Sequence, residues 1–175
     1  SDRRGNPMTL LRTVALSFVV ANLMAAFGCS SPESDPRVTE SVPDRASFPD
    51  VADRLNHSCG TLDCHGTVAR NLRLYGHEGL RLAGRPSSQA NTTTAEYDES
   101  YLSVIGLEPE VMGAVVRDKG AHPERLTLIR KARGTEHHKG GTIMNEGDSL
   151  DLCVTSWLSG AVDTAACADA QANDF

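Results

Sequence analysis

The sequence predicts a mainly α-helical domain with long loops, set behind an N-terminal signal and anchor segment. Three observations predict it. Apolar residues recur three and four apart in several stretches between residues 48 and 160, while strand-like alternation is sparse. Residues that start and stop helices bracket those stretches. The first 29 residues join a basic start to an apolar run, the pattern of an export signal. The chain of 175 residues is long enough for one domain with appendages. Hydrophobic residues make up 39% and aromatic ones only 5%. The core therefore rests on aliphatic packing, or on apolar volume that is not a side chain. A net charge of -6, with no basic stripe and no phosphate loop, gives no reason to expect a nucleic-acid partner.

Arg3, Arg4 and Arg12 form the basic start, and the apolar run extends from Val14 to Phe27. That run is short for a membrane-spanning helix. It ends in Ala26-Phe27-Gly28-Cys29, a small residue followed by cysteine, which resembles a bacterial lipoprotein signal. On that reading Cys29 becomes the lipidated first residue and holds the protein to a membrane. On the other reading the signal is an ordinary cleaved one and Cys29 has no role. Met8 stands just ahead of the run as a candidate translation start. Residues 30–47 are rich in Ser, Pro, Asp and Glu and read as a flexible tether. The globular part is expected over 48–167, with a polar tail over 168–175.

Within the domain, Ser47 or Asp50 can cap a first helix through Asn56, with Val51 and Leu55 on one face. Residues 70–95 carry several Gly, a Pro and a Ser/Thr run and read as irregular. A second helix is expected over Thr94–Ile105, with Tyr97, Tyr101, Leu102 and Ile105 inward. Val111–Arg117 is the one candidate strand. Pro123 opens a third helix carrying Leu126, Leu128, Ile129 and Ala132, and Gly134 ends it. A glycine loop, Lys139-Gly140-Gly141-Thr142, leads to a last helix from Asp148 to Leu158. That helix turns Leu150, Val154, Trp157 and Leu158 inward and stops at Gly160. Loops this long inside a compact domain need something to hold them.

Five cysteines stand at 29, 59, 64, 153 and 167. With Cys29 carrying lipid, four remain. Cys153 and Cys167 flank the end of the last helix. In an exported protein they are expected to form a disulfide, worth about 3 kcal/mol for a loop of that size.

The chemistry-bearing motif is Cys59-Gly60-Thr61-Leu62-Asp63-Cys64-His65-Gly66. Cys-x-x-Cys-His attaches haem c, with two thiols on the vinyl groups and the histidine under the iron. Here the spacer has two extra residues, which must bulge outward because the porphyrin fixes the vinyl separation. Gly60 helps such a bulge. Two other readings stay open: a Cys59–Cys64 disulfide, and a zinc ion held by the two cysteines and histidines.

Cys64-His65-Gly66, Leu72-Arg73-Leu74, Pro123-Glu124-Arg125-Leu126, His138-Lys139-Gly140-Gly141 and Trp157-Leu158-Ser159-Gly160 follow in order. This series resembles the planctomycete-type, class I-like cytochrome c domains of bacterial lipoproteins. The resemblance covers roughly residues 48–160 and departs from the family in the four-residue spacer. It implies a cytochrome c-like fold, with helices and long loops around one covalent haem c, and the first and last helices packed together. It implies thioethers at Cys59 and Cys64 and the proximal ligand at His65. The distal ligand is expected to be His138 or Met144, with Met112 and His122 as outside candidates. His57 and His77 read as surface residues, and Trp157 as core.

With two protein ligands the iron has no open position, so the expected function is one-electron transfer to redox partner proteins, at a membrane and after export. An open position would return an enzymatic or gas-binding reading. The rival function is a haem-free structural or interaction lipoprotein held by the disulfides Cys59–Cys64 and Cys153–Cys167.

Overall fold

Helices form where the sequence offers a start residue, an apolar stripe and a stop. The computed structural model describes residues 41–83 and 91–172. The signal run, Cys29 and residues 30–40 lie outside the described residues. Helix α1 spans Phe48–Cys59, with Pro49 in its first turn. Ser47 occupies the N-cap without a side-chain bond. The cap comes from further back, because the Asp44 carboxylate accepts from the backbone N–H of Ala46 (3.2 Å) and Ser47 (3.0 Å). Helix α2, Thr94–Ile105, opens with a capping box in which Thr93 and Glu96 bond each other's backbone N–H. Its buried face is Glu96, Ser100, Tyr101 and Val104. Leu102, expected inward, is exposed.

Helix α3 runs from Pro109 to Arg117, where the sequence hinted at a strand. Its valines are β-branched, yet Met112 and Val115 fall on one buried face three apart, and Pro109 presets the first turn. The stretch opened by Pro123 is divided. A 3-10 turn, Pro123–Arg125, is followed by an extended Leu126 and then by helix α4, Thr127–Ala132. The break has a cause. The Glu108 carboxylate accepts from the Thr127 hydroxyl at 2.9 Å and from its N–H, so the helix restarts on a cap supplied by a distant residue.

Helix α5, Ser149–Ser159, is capped by Asp148, which accepts from the Asp151 N–H at 2.9 Å, and closes at Gly160 with φ 92°. Helix α6 spans Thr164–Ala172, a stretch for which the sequence offers no helix signal. Among the described residues there is no strand, only an isolated Tyr75–Leu80 bridge. No described helix is long and apolar enough to cross a membrane.

The first helix packs on α2, α5 and α6, and α5 packs on α6. Cys153 and Cys167 join the last two through a disulfide. The centre is aromatic. The Phe48 ring lies 5.5 Å from Tyr101 and 4.9 Å from Trp157, centre to centre. Tyr101 donates its hydroxyl to Pro43 O (2.8 Å) and Trp157 its indole N–H to Asp44 O (2.8 Å). The end of the expected tether is thereby fixed to the core, and both buried polar handles are satisfied.

Behind the cysteine loop the chain is packed backbone to backbone. A Cβ on Gly66 or on Gly79 would lie 2.0 Å from Gly60 O. The buried Asn56 side chain fills the space between Gly60 and Gly76, and its Oδ1 accepts from the Glu78 N–H at 3.3 Å. Gly66→Ala is therefore expected to force the backbone apart and to destabilise the domain by about 1–3 kcal/mol. A urea midpoint lowered for Gly66→Ala, and unmoved for alanine at exposed Gly147 beyond its positive-φ cost, would show it.

Candidate functional site

Cys59 is the last residue of α1, and Gly60 caps that helix by donating its N–H to Asn56 O at 2.7 Å. The chain then makes a tight turn. Cys64 N–H and Gly66 N–H both donate to Thr61 O at 2.9 Å, and His65 N–H donates back to Cys59 O at 3.0 Å. Residues Thr61, Leu62 and Asp63 are thrown outward, with Leu62 67% exposed. The long spacer thus loops away from the domain while its two ends come together, and His65 folds over the end of the helix. Cys59 and Cys64 are free thiols, both half-buried.

His65 is oriented by the next segment. Its Nδ1–H donates to Leu72 O at 3.1 Å, and its own C=O accepts from the Leu74 N–H at 2.9 Å. Leu72 and Leu74 are buried, so the carbonyl that aims the ring is itself anchored in the core. This bond leaves Nε2 as the free nitrogen, the pattern by which proteins fix a metal-binding tautomer. Burial holds the imidazole below its ordinary pKa, against the Leu72 bond, and the charges of His138 and Arg70 act in the same direction as burial. The ring is therefore neutral, with a lone pair to offer, at neutral pH.

Beside His65 opens a cavity of about 390 Å³, within the size range of small-molecule and cofactor pockets. Leu55, Leu72, Leu107, Leu128, Ala132 and Ile143 give it an apolar lining, and Cys59 also lines it. Its polar lining comes from His65, His138, Arg70, Asn71, Thr127 and Lys131, with no carboxylate.

His138 reaches this cavity from the glycine loop. Gly140 allows it to do so, since a Cβ there would meet the His138 ring at 2.9 Å. The His65 and His138 rings lie 5.9 Å apart, centre to centre, with their planes 17° from parallel. Near-parallel rings at this separation form a stacked pair; two imidazoles bound to one metal from opposite sides, through bonds of about 2.0–2.1 Å, also have ring centres roughly 6 Å apart. Among the described residues no three or more His, Cys, Asp or Glu side chains gather as a metal-ion site. A bare ion such as zinc takes three or four protein ligands. An iron carried by a porphyrin brings four nitrogens with it and asks the protein for only two, and two histidines meet here. The residues fit that group.

The other candidates lie elsewhere. Met144 is 2% exposed inside the hydrophobic core and does not line the cavity, although its neighbour Ile143 does. Met112 is likewise a core residue. His122 is exposed and bonds Glu124 at 3.1 Å, His57 bonds Glu78 at 2.9 Å, and His77 bonds Thr92 at 3.2 Å. Cys64 adjoins the cavity through His65 but is not in its lining. Arg70 and Lys131 were not singled out in the sequence. Each stands in an ordinary polar context, and only the fold brings both to one cavity.

Burial, and to a lesser degree the nearby Cys64, push the Cys59 thiol up to about 12. At pH 8 its thiolate fraction then falls about three orders of magnitude below that of an ordinary thiol near 8.5. Iodoacetamide is expected to label Cys64 of the folded, haem-free chain readily. Cys59 should be labelled only after unfolding, as read by peptide mass spectrometry.

Comparison with known proteins finds no matching family model, no matching curated protein and no matching solved structure. The resemblance to cytochrome c domains rests on the residues quoted for it.

Proposed function

We propose that this protein is a monohaem c-type cytochrome, a one-electron carrier exported from the cell and attached to a membrane through Cys29. The observation that carries the reading is the pair of imidazoles, His65 and His138, with ring centres 5.9 Å apart, that line one largely apolar cavity with Cys59 in its wall. Cys59 and Cys64 would hold the group by thioethers. His65 Nε2 would be the proximal ligand and His138 the distal one, in preference to the buried Met144. The haem, when bound, supplies the electron chemistry. The chain's own part is to orient His65 through Leu72 O, to exclude water with the leucine lining, and to place Arg70 and Lys131 near the site. A positive charge beside the site favours the reduced form, and a histidine in place of methionine as the distal ligand favours the oxidised one. The Cys153–Cys167 disulfide agrees with an oxidising compartment. In the rival, haem-free reading Cys59 and Cys64 would be bonded to each other; here they are free thiols beside a formed disulfide elsewhere.

The test is the colour of the protein. The full chain is exported in a host with haem c maturation and examined by a pyridine haemochrome assay. One haem per chain, retained through acid-organic extraction, is expected. A colourless product with Cys59 bonded to Cys64 would favour the disulfide scaffold.

A further inference from the structure

His65 and His138 are held in very different ways. His65 has three bonds to fixed backbone: its N–H to Cys59 O, its C=O from Leu74 N–H, and its ring to Leu72 O. His138 sits in a loop whose residues 139–142 are all exposed. The bonds that hold His138 are made within that loop, Gly141 N–H to His138 O at 3.0 Å and His138 Nδ1 to Gly141 O at 3.4 Å, the latter at the outer limit for a hydrogen bond. The loop is pinned towards its ends, where the Thr142 side chain also packs on Gly134. Lys131 Nζ donates to His137 O at 3.1 Å, and Ile143 N–H donates to Ala132 O at 2.8 Å. Between those pins stand Gly140 and Gly141. Gly141 has φ 76° and nothing within 4 Å of its Cβ position, so the chain can turn there without collision. Segments with few buried contacts and exposed backbone bonds open at low cost.

We propose that the two histidines are unequal partners: His65 is the permanent one, and His138 is a removable one whose departure opens the cavity to a small ligand. This rests on the proposed haem site. Leu107, Leu128, Ala132 and Ile143 line the same cavity as His138. These aliphatic walls accept a small uncharged guest such as carbon monoxide, while Arg70 and Lys131 on the same lining would offer an anion a counter-charge. In the exchange one bond from His138 Nε2 would be given up and one from the guest would replace it. No electron changes hands, and the freed imidazole swings to solvent on the glycine hinge. The protein would then report the presence of a small ligand as well as carry electrons.

The experiment uses the exported holoprotein, reduced with dithionite without oxygen and mixed with carbon monoxide in a stopped-flow spectrometer. The wild type is expected to bind it at a rate that levels off as the gas concentration rises, because His138 must leave first. His138→Ala should bind about tenfold faster or more, with no levelling. Gly140→Ala should fall between them, since its Cβ collides with the His138 ring. A wild-type spectrum unchanged under saturating carbon monoxide, beside a His138→Ala protein that binds it, would show His138 to be fixed and overturn the proposal. So would a wild type and His138→Ala with identical resting spectra. A wild type that emerges colourless, with no haemochrome, removes the haem site itself and with it this inference.

Discussion

His65→Ala is expected to yield no stable red protein after export with haem c maturation, whereas His138→Ala keeps a covalent haem and changes only its spectrum. The contrast follows from how each residue is placed. His65 directly follows Cys64, and its N–H to Cys59 O bond draws both ends of the cysteine loop together. It alone offers a ring locked in one tautomer by a buried segment. Its removal takes away the nitrogen that would sit beneath the iron and also leaves Leu72 O without a donor, a loss of about 1–3 kcal/mol. The cost in stability is moderate and the cost in cofactor is near total. The two are separable, because the haem-free His65→Ala protein should still show native helical dichroism and a buried Trp157 emission, with its urea midpoint lowered by that modest amount. A His65→Ala protein that carries a full complement of haem with an unchanged spectrum would end the assignment of His65.

Much of the helical framework was legible because its signals are local. The apolar residues of Thr94–Ile105 mark α2, and Asp148 and Gly160 bracket α5, so both helices could be placed from nearby residues. The signals failed where the deciding partner is distant in sequence. Nothing near Thr127 says that Glu108 will cap it, so α4 and the 3-10 turn before it read as one helix. Val111, Val115 and Val116 favour a strand by residue type, while the placement of Met112 and Val115 on one face favours α3; a single window could not choose between them. The final helix was missed because its Ala-rich stretch carries almost no apolar periodicity. It is held to α5 by Cys167 rather than by a stripe of its own.

The candidate site divides along the same line. The cysteine loop and His65 form one continuous motif and were visible as such. The choice between His138 and Met144 was not, since both lie in the stretch before α5. Tertiary packing separates them: Met144 fills the core while His138, released by Gly140, turns to the cavity. The cavity wall itself, drawn from α1, α4 and three loops, has no sequence signature.

Glu96→Gln is expected to be the most damaging single substitution for folding outside the site, at about 3–5 kcal/mol, the cost of breaking a buried ion pair from one side. Glu96 is 0% exposed and faces Arg81, itself nearly buried, at 2.8 Å and 3.1 Å. Its carboxylate also accepts from Thr93 N–H at 2.9 Å and Leu82 N–H at 3.2 Å, so one side chain caps α2 and pins the segment that passes over it. Burial by itself would raise the pKa of this carboxyl. The Thr93 N–H, the Arg81 guanidinium and the Leu82 N–H outweigh burial and hold it below the ordinary value. The sign for stability follows. A carboxyl with a depressed folded-state pKa contributes its full stabilisation above the unfolded value of about 4.3, and that contribution is lost as the pH falls through the lower, folded value. The wild type should therefore lose stability steeply below about pH 4.3, and Glu96→Gln, which has no charge there to lose, should show a shallower acid limb from a lower plateau. Urea midpoints taken from pH 7 down to pH 3 measure both. Equal slopes in the two proteins would mean that Glu96 is not the group whose protonation weakens the fold. Replacing Arg81 as well separates the pair from the cap: what a joint Arg81→Met, Glu96→Gln protein recovers belongs to the guanidinium that has lost its carboxylate, and what it does not recover belongs to the bonds at Thr93 and Leu82.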